Sequence, residues 1–306
     1  MPMQKKSLCV FIHFSNQPFI PYYVQIFVNE LARFFDEVVL LSNERALTSI
    51  PVFSDNISLR FQENQGYDFG RFYRYYKTID PNKYHKIACI NDSNLLINRL
   101  DNILIWENID RFDFWGVVDS YQRPWFSTSE ENHHVQSHFL IFNTKAIELL
   151  DEYYHSVDME TFLRNSDIKI LRRFVIDVWE IGFTQFAKSK NLKIGLYLDS
   201  EVFTKRYNIP SDSNISHILY KEILSAGYPF IKKKAIFDEK KRLRKNELNC
   251  SELILKFGNP EWALDKLIKE IELMKDDQKE APSSGLVNKI ILHLRNLLIK
   301  FDGKQR

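Results

Sequence analysis

Residues 61–93 read FQENQGYDFGRFYRYYKTIDPNKYHKIACINDS. In order, this is a strand end, a polar loop, an aromatic helix and a short apolar run that stops on Asn91-Asp92-Ser93. Glu63-Asn64-Gln65-Gly66 puts amide side chains and a glycine where a strand must turn. Gly66 can take a positive φ and let a ligand approach the backbone closely. Asp68 is expected to cap a helix starting near Phe69, whose open N–H groups and dipole favour an anion. Arg71 falls in the first turn, where a cation opposes the dipole, and so points to an anionic partner. Lys86 to Ile90 (KIACI) has the unbroken apolar character of a central parallel strand. In open α/β sheets ligands bind beyond the carboxyl ends of the strands, where Asn91, Asp92 and Ser93 fall. Taken singly, each of these residues is also what a capped helix and an Asx turn require.

Toward the N-terminus, Leu8 to His13 (LCVFIH) reads as a buried strand and Ser15 to Pro18 as a loop. Tyr22 to Phe35 is apolar on most faces, which predicts a largely buried helix. Glu37 to Leu41 (EVVLL) closes a right-handed βαβ unit, and Ile57 to Phe61 adds a third strand. The alternation predicts a parallel sheet covered on both sides. The first loop lacks G-x-G-x-x-G and the Walker pattern, which disfavours dinucleotide and P-loop readings. The opening MPMQKKSLCVFIHF has the lysines and apolar run of a signal peptide, but ends at His13 without a small-residue cleavage site, so it fits a first strand better.

Toward the C-terminus, Leu100 to Glu107 suits a short helix and Phe112 to Asp119 (FDFWGVVD) a strand ending on an acid. The polar loop Ser120 to His134 is long enough to suggest function or mobility. His133, His134, Glu130 and Glu131 could be counted as metal ligands, but adjacent side chains rarely converge, and a solvated loop is the better account. Val135 to Phe142 (VQSHFLIF) is expected to return as one strand, with Asn143 capping a helix through about Tyr154. In Phe174 to Asp199 a helix is expected to begin near Asp177 to Glu180 and break at Asn191, before the strand KIGLYL. Glu180 would then occupy a first helical turn, where the dipole favours an acid with or without a further role. Ser213 to Lys234 reads as a capped helix ended by Gly227, with Lys232, Lys233 and Lys234 placed to meet a pyrophosphate or simply to form a solvated face.

At 306 residues the chain suits one large domain, or one with an appendage. The expected division is a domain over 1–237, a helical extension over 238–275, a linker over 276–285 and a basic amphipathic helix over 286–306. That last stretch could lie on an anionic membrane surface or dock on protein. A net charge of +2 gives no case for nucleic-acid binding. Cys9, Cys89 and Cys250 are odd in number and widely spaced, as reduced core residues of a cytosolic protein would be. No segment approaches the roughly 20 apolar residues that span a bilayer.

The succession ENQGYDFGRF, a strand ending in NDS, FWGVVDS, VQSHFLIF, WEIGFTQ and YPFIKK resembles the rhamnan synthesis protein F family over roughly Leu8 to Lys234. The resemblance implies a GT-A-like, three-layer α/β/α fold with a mostly parallel sheet and a C-terminal helical extension. It also implies a glycosyltransferase of bacterial surface polysaccharide or O-antigen, while the cysteines point to the cytoplasm and the basic amphipathic tail to possible peripheral contact with the inner membrane. The donor would be dTDP-rhamnose or a UDP or GDP sugar, and the acceptor a lipid-linked or oligosaccharide glycan. Asn64, Gly66 and Asp68 match the loop that cradles the nucleotide, with Arg71, Asn91, Ser93, Gln136 and Lys232 as further donor contacts. Asp92 lies where such enzymes carry a metal-binding D-x-D motif, but Asn91-Asp92-Ser93 keeps one carboxylate. Mg²⁺ or Mn²⁺ held by Asp92 and phosphate oxygens is compatible with that remnant. Glu180 is similar to the acid that opens the acceptor-side helix of inverting enzymes and is the expected catalytic base, with Asp119 in reserve. A retaining transferase and a non-catalytic binding protein of the same fold are the alternatives.

Overall fold

The computed structural model describes residues 4–106, 109–233, 236 and 250–280. Its frame is an eight-stranded sheet: β1 (Lys6–His13), β2 (Glu37–Asn43), β3 (Ile57–Gln62), β4 (Tyr84–Asn91), β6 (Phe114–Ser120), β7 (His134–Val135), β8 (Phe139–Asn143) and β9 (Ile194–Leu198). A two-stranded sheet pairs β5 (Asn94–Leu96) with β10 (Phe230–Lys232), antiparallel. The main order is β3-β2-β1-β4-β8-β6-β7, with β9 also on β6. Strands β3, β2, β1 and β4 run parallel, as do β6 and β9, while β8 is antiparallel to both β4 and β6.

Period-two alternation in β1 sends Leu8, Val10 and Ile12 to one apolar cluster and Cys9 and Phe11 to the other. Helix Tyr22–Leu31 covers one face, and the helices Tyr67–Tyr76, Thr144–Ser156 and Phe183–Ser189 cover the opposite one. The molecule is therefore a three-layer α/β/α arrangement with a mostly parallel sheet. Cys9 and Cys89 are buried in β1 and β4, and Cys250 is buried at the start of helix Cys250–Phe257.

Residues of the expected extension pack into this core. Ile254, Leu267 and Ile271 join the same apolar cluster as Tyr23 and Phe27. Helix Tyr22–Leu31 begins after Pro21 with no side-chain cap of its own. Glu270 supplies one, its Oε1 and Oε2 accepting from the Tyr22 and Tyr23 N–H groups at 2.7 and 3.0 Å. Helix Leu264–Glu280 runs into the stretch with linker composition, and the amphipathic segment 286–306 lies outside the described residues. Among the described residues no helix is long and apolar enough to cross a membrane.

Four local expectations change. VQSHFLIF is two strands, because residues 136–138 leave the ladder between β7 and β8. The helix bearing Glu180 starts at Ile168, capped by Asp167, and continues through a π-helical segment, Val175–Gly182, to Ser189. Helix Tyr67–Tyr76 starts two residues early, with left-handed Gly66 at its cap position, so Asp68 lies inside it. The Ser213–Gly227 stretch forms two short helices, Ile215–Ile218 and Tyr220–Ser225, and Lys232 ends a strand.

Candidate active site

Parallel register brings His13 beside Ser42, and Ile12 beside both Leu41 and Asn91. Because β8 runs antiparallel and pairs Phe139 with Ile90, residues 136–138 just before it arrive at this same edge. Asp119, near the end of β6, joins them. Residues far apart in the chain thus meet at the carboxyl edge of the sheet.

On the β1 side, Asp92 is the hub. Its Oδ2 accepts from His13 Nδ1 at 2.7 Å, Tyr23 Oη at 3.0 Å and Lys233 Nζ at 3.1 Å. Arg45 Nη2 lies 3.4 Å from His13 Nε2, and since arginine only donates, the partners assign the His13 proton to Nδ1. Burial pushes the Asp92 carboxyl up, but Lys233 and His13 outweigh it and hold the group well below the usual carboxylate range. Burial, then the Asp92 charge, keeps the Tyr23 phenol protonated. Arg71 is 1% exposed, and its Nη1 and Nη2 donate to the carbonyls of His13 and Leu41 at 2.9 and 2.7 Å. It therefore clamps the ends of β1 and β2 from inside, with both terminal nitrogens given to backbone carbonyls. Burial lowers its pKa to about 10, so it stays charged at neutral pH.

On the β8 side, Asp68 faces Glu180. The register shift of the π segment sets this up: Phe183 N–H bonds Val178 O five residues back, and the Tyr153 hydroxyl donates to the same carbonyl. Gly182 leaves the room, since a Cβ there would lie 3.1 Å from Tyr153 Oη. Trp179 then stacks on Phe69 with centroids 4.7 Å apart, fixing the two acid-bearing helices against each other. Glu180 Oε1 accepts from Ser137 Oγ at 2.6 Å, and Asp68 Oδ2 accepts from Asn91 Nδ2 at 2.6 Å. Burial first, and the Glu180 charge second, raise the Asp68 pKa to about 6. Glu180 thus sits mid-helix, held by Ser137, rather than at the helix mouth its sequence context suggested.

The remaining expected residues divide into scaffold and surface. Asn91 is buried, with its amide shared between Asp68 and the Ser137 carbonyl and its Oδ1 accepting from Ser93 N, so it holds the site in shape. Ser93 and Asn64 are exposed. Gly66 has φ +70°, and a Cβ there would meet Phe162 at 2.8 Å and Leu163 at 2.9 Å. The close approach that glycine permits here is to the helix Met159–Arg164. Asp119 is fully buried, bonded to His133 Nε2 at 2.9 Å and Ser200 N at 2.7 Å, which spends both oxygens on structure and takes it out of reserve as a base. Gln136 is buried too, its Nε2 bonded to the Asp119 carbonyl and Asn214, with Lys232 Nζ 3.5 Å from Oε1. Burial, then the charge of Lys232, drops the His138 pKa to about 3, so the neutral ring accepts from Tyr228 Oη at 3.2 Å.

The 120–134 loop is pinned to the acid-bearing helix. Thr128 N and Oγ1 bond Asp177, Gln185 Nε2 donates to the His133 carbonyl at 2.7 Å, and Lys188 pairs with Glu131. Asp177 is therefore a loop anchor.

As a cation site, Asp92 offers one carboxylate whose Oδ2 already faces an ammonium and two other donors. Among the described residues no three His, Cys, Asp or Glu side chains converge. This donor set does not fit a hard divalent ion, which takes oxygen ligands and would here face an ammonium already bonded to the same carboxylate oxygen.

His13, Tyr23, Arg45 and Ser137 are not singled out as site residues in the sequence, and Lys233 stands there only beside Lys232 and Lys234 as a candidate pyrophosphate contact. The one signal for His13 was a polar residue closing the apolar run of β1; Lys233 was visible only as part of a basic run.

The sequence model of a family described as rhamnan synthesis protein F matches residues 40–291. Two curated relatives, each named virulence protein VirA and both from Vibrio anguillarum (one of them strain ATCC 68554 / 775), are 24% identical over 204 residues, covering 58% of this chain and 61% of the relative. The chain thus spans about three-fifths of the length of these relatives. Similar solved structures include 4-diphosphocytidyl-2C-methyl-D-erythritol synthase from Anaerococcus prevotii DSM 20548 (11% identity, TM-score 0.36, 64% of this chain and 87% of the other). A protein described as a nucleotide-diphospho-sugar transferase from Desulfovibrio desulfuricans G20 gives 12% identity, a TM-score of 0.35, and coverage of 67% and 89%.

Proposed function

The chain belongs to the rhamnan synthesis protein F family, and from that premise we propose that it is a glycosyltransferase taking a sugar from a nucleoside-diphosphate donor. The observation that carries this reading is the meeting of Asp68 and Glu180 with the Asp92 cluster at the carboxyl edge of the sheet. Glu180 is the proposed general base. Ser137 fixes its Oε1, and among the described residues Oε2 has no partner, which leaves it to receive an acceptor hydroxyl. In the step, the acceptor oxygen bonds to the anomeric carbon while the bond from that carbon to the phosphate oxygen breaks. The electron pair leaves with the nucleoside diphosphate, and the hydroxyl proton passes to Glu180. Attack from the face opposite the leaving group inverts the anomeric centre.

Rhamnose or a similar hexose is the proposed sugar, on dTDP, UDP or GDP. A growing surface glycan, lipid-linked or free, is the proposed acceptor. The 120–134 loop supports an acceptor role: Trp125 is 80% exposed, with the Arg173 guanidinium 4.6 Å over its ring, and an open indole suits stacking on a sugar. Attachment to the cytoplasmic face of the inner membrane through 286–306 completes the proposal, and deleting that segment is expected to lower binding to anionic liposomes.

The test is a panel of nucleotide sugars with purified protein, following thermal stabilisation and nucleoside-diphosphate release. A donor that binds the folded state raises apparent stability by about 2.7 kcal/mol at a hundredfold excess over Kd. Release and a product of inverted configuration support the reading. Binding without turnover would make the chain a sugar-nucleotide binding protein, and retention of configuration would remove Glu180 as an inverting base.

A further inference from the structure

We infer that the diphosphate of the donor is held by Lys233, with Arg45 and Arg71 behind it, and not through a divalent cation on Asp92. The inference rests on the donor reading above and names the group that meets the leaving phosphate. Lys233 Nζ donates to Asp92 Oδ2 at 3.1 Å and to Tyr23 Oη at 3.0 Å, and stands 4.8 Å from the centroid of the Tyr23 ring. An ammonium carries three N–H donors, so two are committed, and a side chain 22% exposed can turn the third to a ligand arriving from solvent. The Lys233 backbone N–H bonds the Ser93 carbonyl at 3.0 Å, which ties this lysine to the turn after β4 independently of its charge.

Charge around the hub supports an anion. Arg45 donates to the Gln17 and Phe19 carbonyls, Ser42 and Asn43, all neutral acceptors, and Arg71 donates to two strand-end carbonyls. Three cations therefore gather round one directly bonded carboxylate, an excess that a diphosphate can match. A divalent ion at Asp92 Oδ2 would have to displace the His13, Tyr23 and Lys233 donors and sit against an ammonium. Asp92 thus takes up one of the three Lys233 N–H groups and competes with an arriving phosphate for its charge. As the sugar–oxygen bond breaks, the added negative charge on the phosphate oxygen meets the ammonium with no proton transfer to it.

The experiment is calorimetric binding of dTDP, UDP and GDP to the full chain, in EDTA and again with Mn²⁺. At least one nucleotide is expected to bind with the same affinity in both. Lys233→Met is expected to weaken that binding about 10- to 100-fold in both buffers, with Lys233→Arg restoring most of it. Asp92→Asn, which a metal site would not survive, is expected to keep or tighten binding because it unburdens the lysine; melting curves establish that each variant is folded. Binding that appears only with Mn²⁺, or that Asp92→Asn abolishes while Lys233→Met leaves it intact, overturns the inference and leaves the donor reading standing. No binding of any nucleotide in either buffer overturns both.

Discussion

Strand β4 divides the carboxyl edge of the sheet into two halves of opposite character. On the β1–β2 side three cations, Lys233, Arg45 and Arg71, surround Asp92. On the β8–β6 side the Glu180 carboxylate stands against Asp68, while Asp119 is bonded separately to His133 and Ser200. Two aspartates near the end of one strand are pushed in opposite directions. Lysine and histidine contacts keep Asp92 ionised, while burial and Glu180 lift Asp68 to about 6. Environment, not residue type, separates their roles. The cationic half suits a charged leaving group, and the acidic half suits the removal of a proton.

The largest expected effect tests the acidic half. Glu180→Gln should lower the transfer rate about 10²- to 10⁴-fold, or about 3–5 kcal/mol in the barrier, while nucleoside-diphosphate affinity is unchanged. Steady-state kinetics beside calorimetry checks this, and a near-normal rate would merge the two halves into one binding surface.

Next is the pH signature of Asp68. Its folded-state pKa lies above the ordinary value, so the folded state is not penalised below about pH 4, and stability is lost as pH rises through about 6. Asp68→Asn removes that penalty and should stabilise the protein at pH 7 by up to about 3 kcal/mol, with the gain fading to nothing below about pH 4. Melting temperatures of both proteins across this range measure it. A gain independent of pH would mean that Asp68 is not raised.

Asp119→Ala should cost about 1–3 kcal/mol, because it leaves the buried Ser200 N–H without its acceptor. Chemical denaturation reads that loss, and nucleotide affinity on the cationic side should not follow it. The smallest change is Glu131→Gln, which breaks an exposed pair with Lys188 and should move stability by less than about 0.5 kcal/mol. A larger shift in its melting temperature would show the loop anchored chiefly by charge.

Much of the frame was legible in the chain. Apolar runs such as LCVFIH and KIACI, with polar residues at their ends, marked parallel strands and the edge where a site would form. The break in VQSHFLIF was not legible, because its residues are buried whether or not they are in the ladder. Nor was the π segment: periodicity reads a helix of 3.6 residues per turn, and one inserted residue held by Tyr153 leaves almost no compositional trace.

By itself the sequence determined the order of strands and helices, the presence of Asp92 and Asp68 at strand and helix ends, and the family. The tertiary structure decided what those acids do. It brought Lys233 across 141 positions to Asp92, and Trp179 onto Phe69 so that Glu180 stands against Asp68. A carboxylate's charge state depends on its neighbours and on how much water it keeps. Both are set by packing between segments far apart in the chain, which local spacing does not encode.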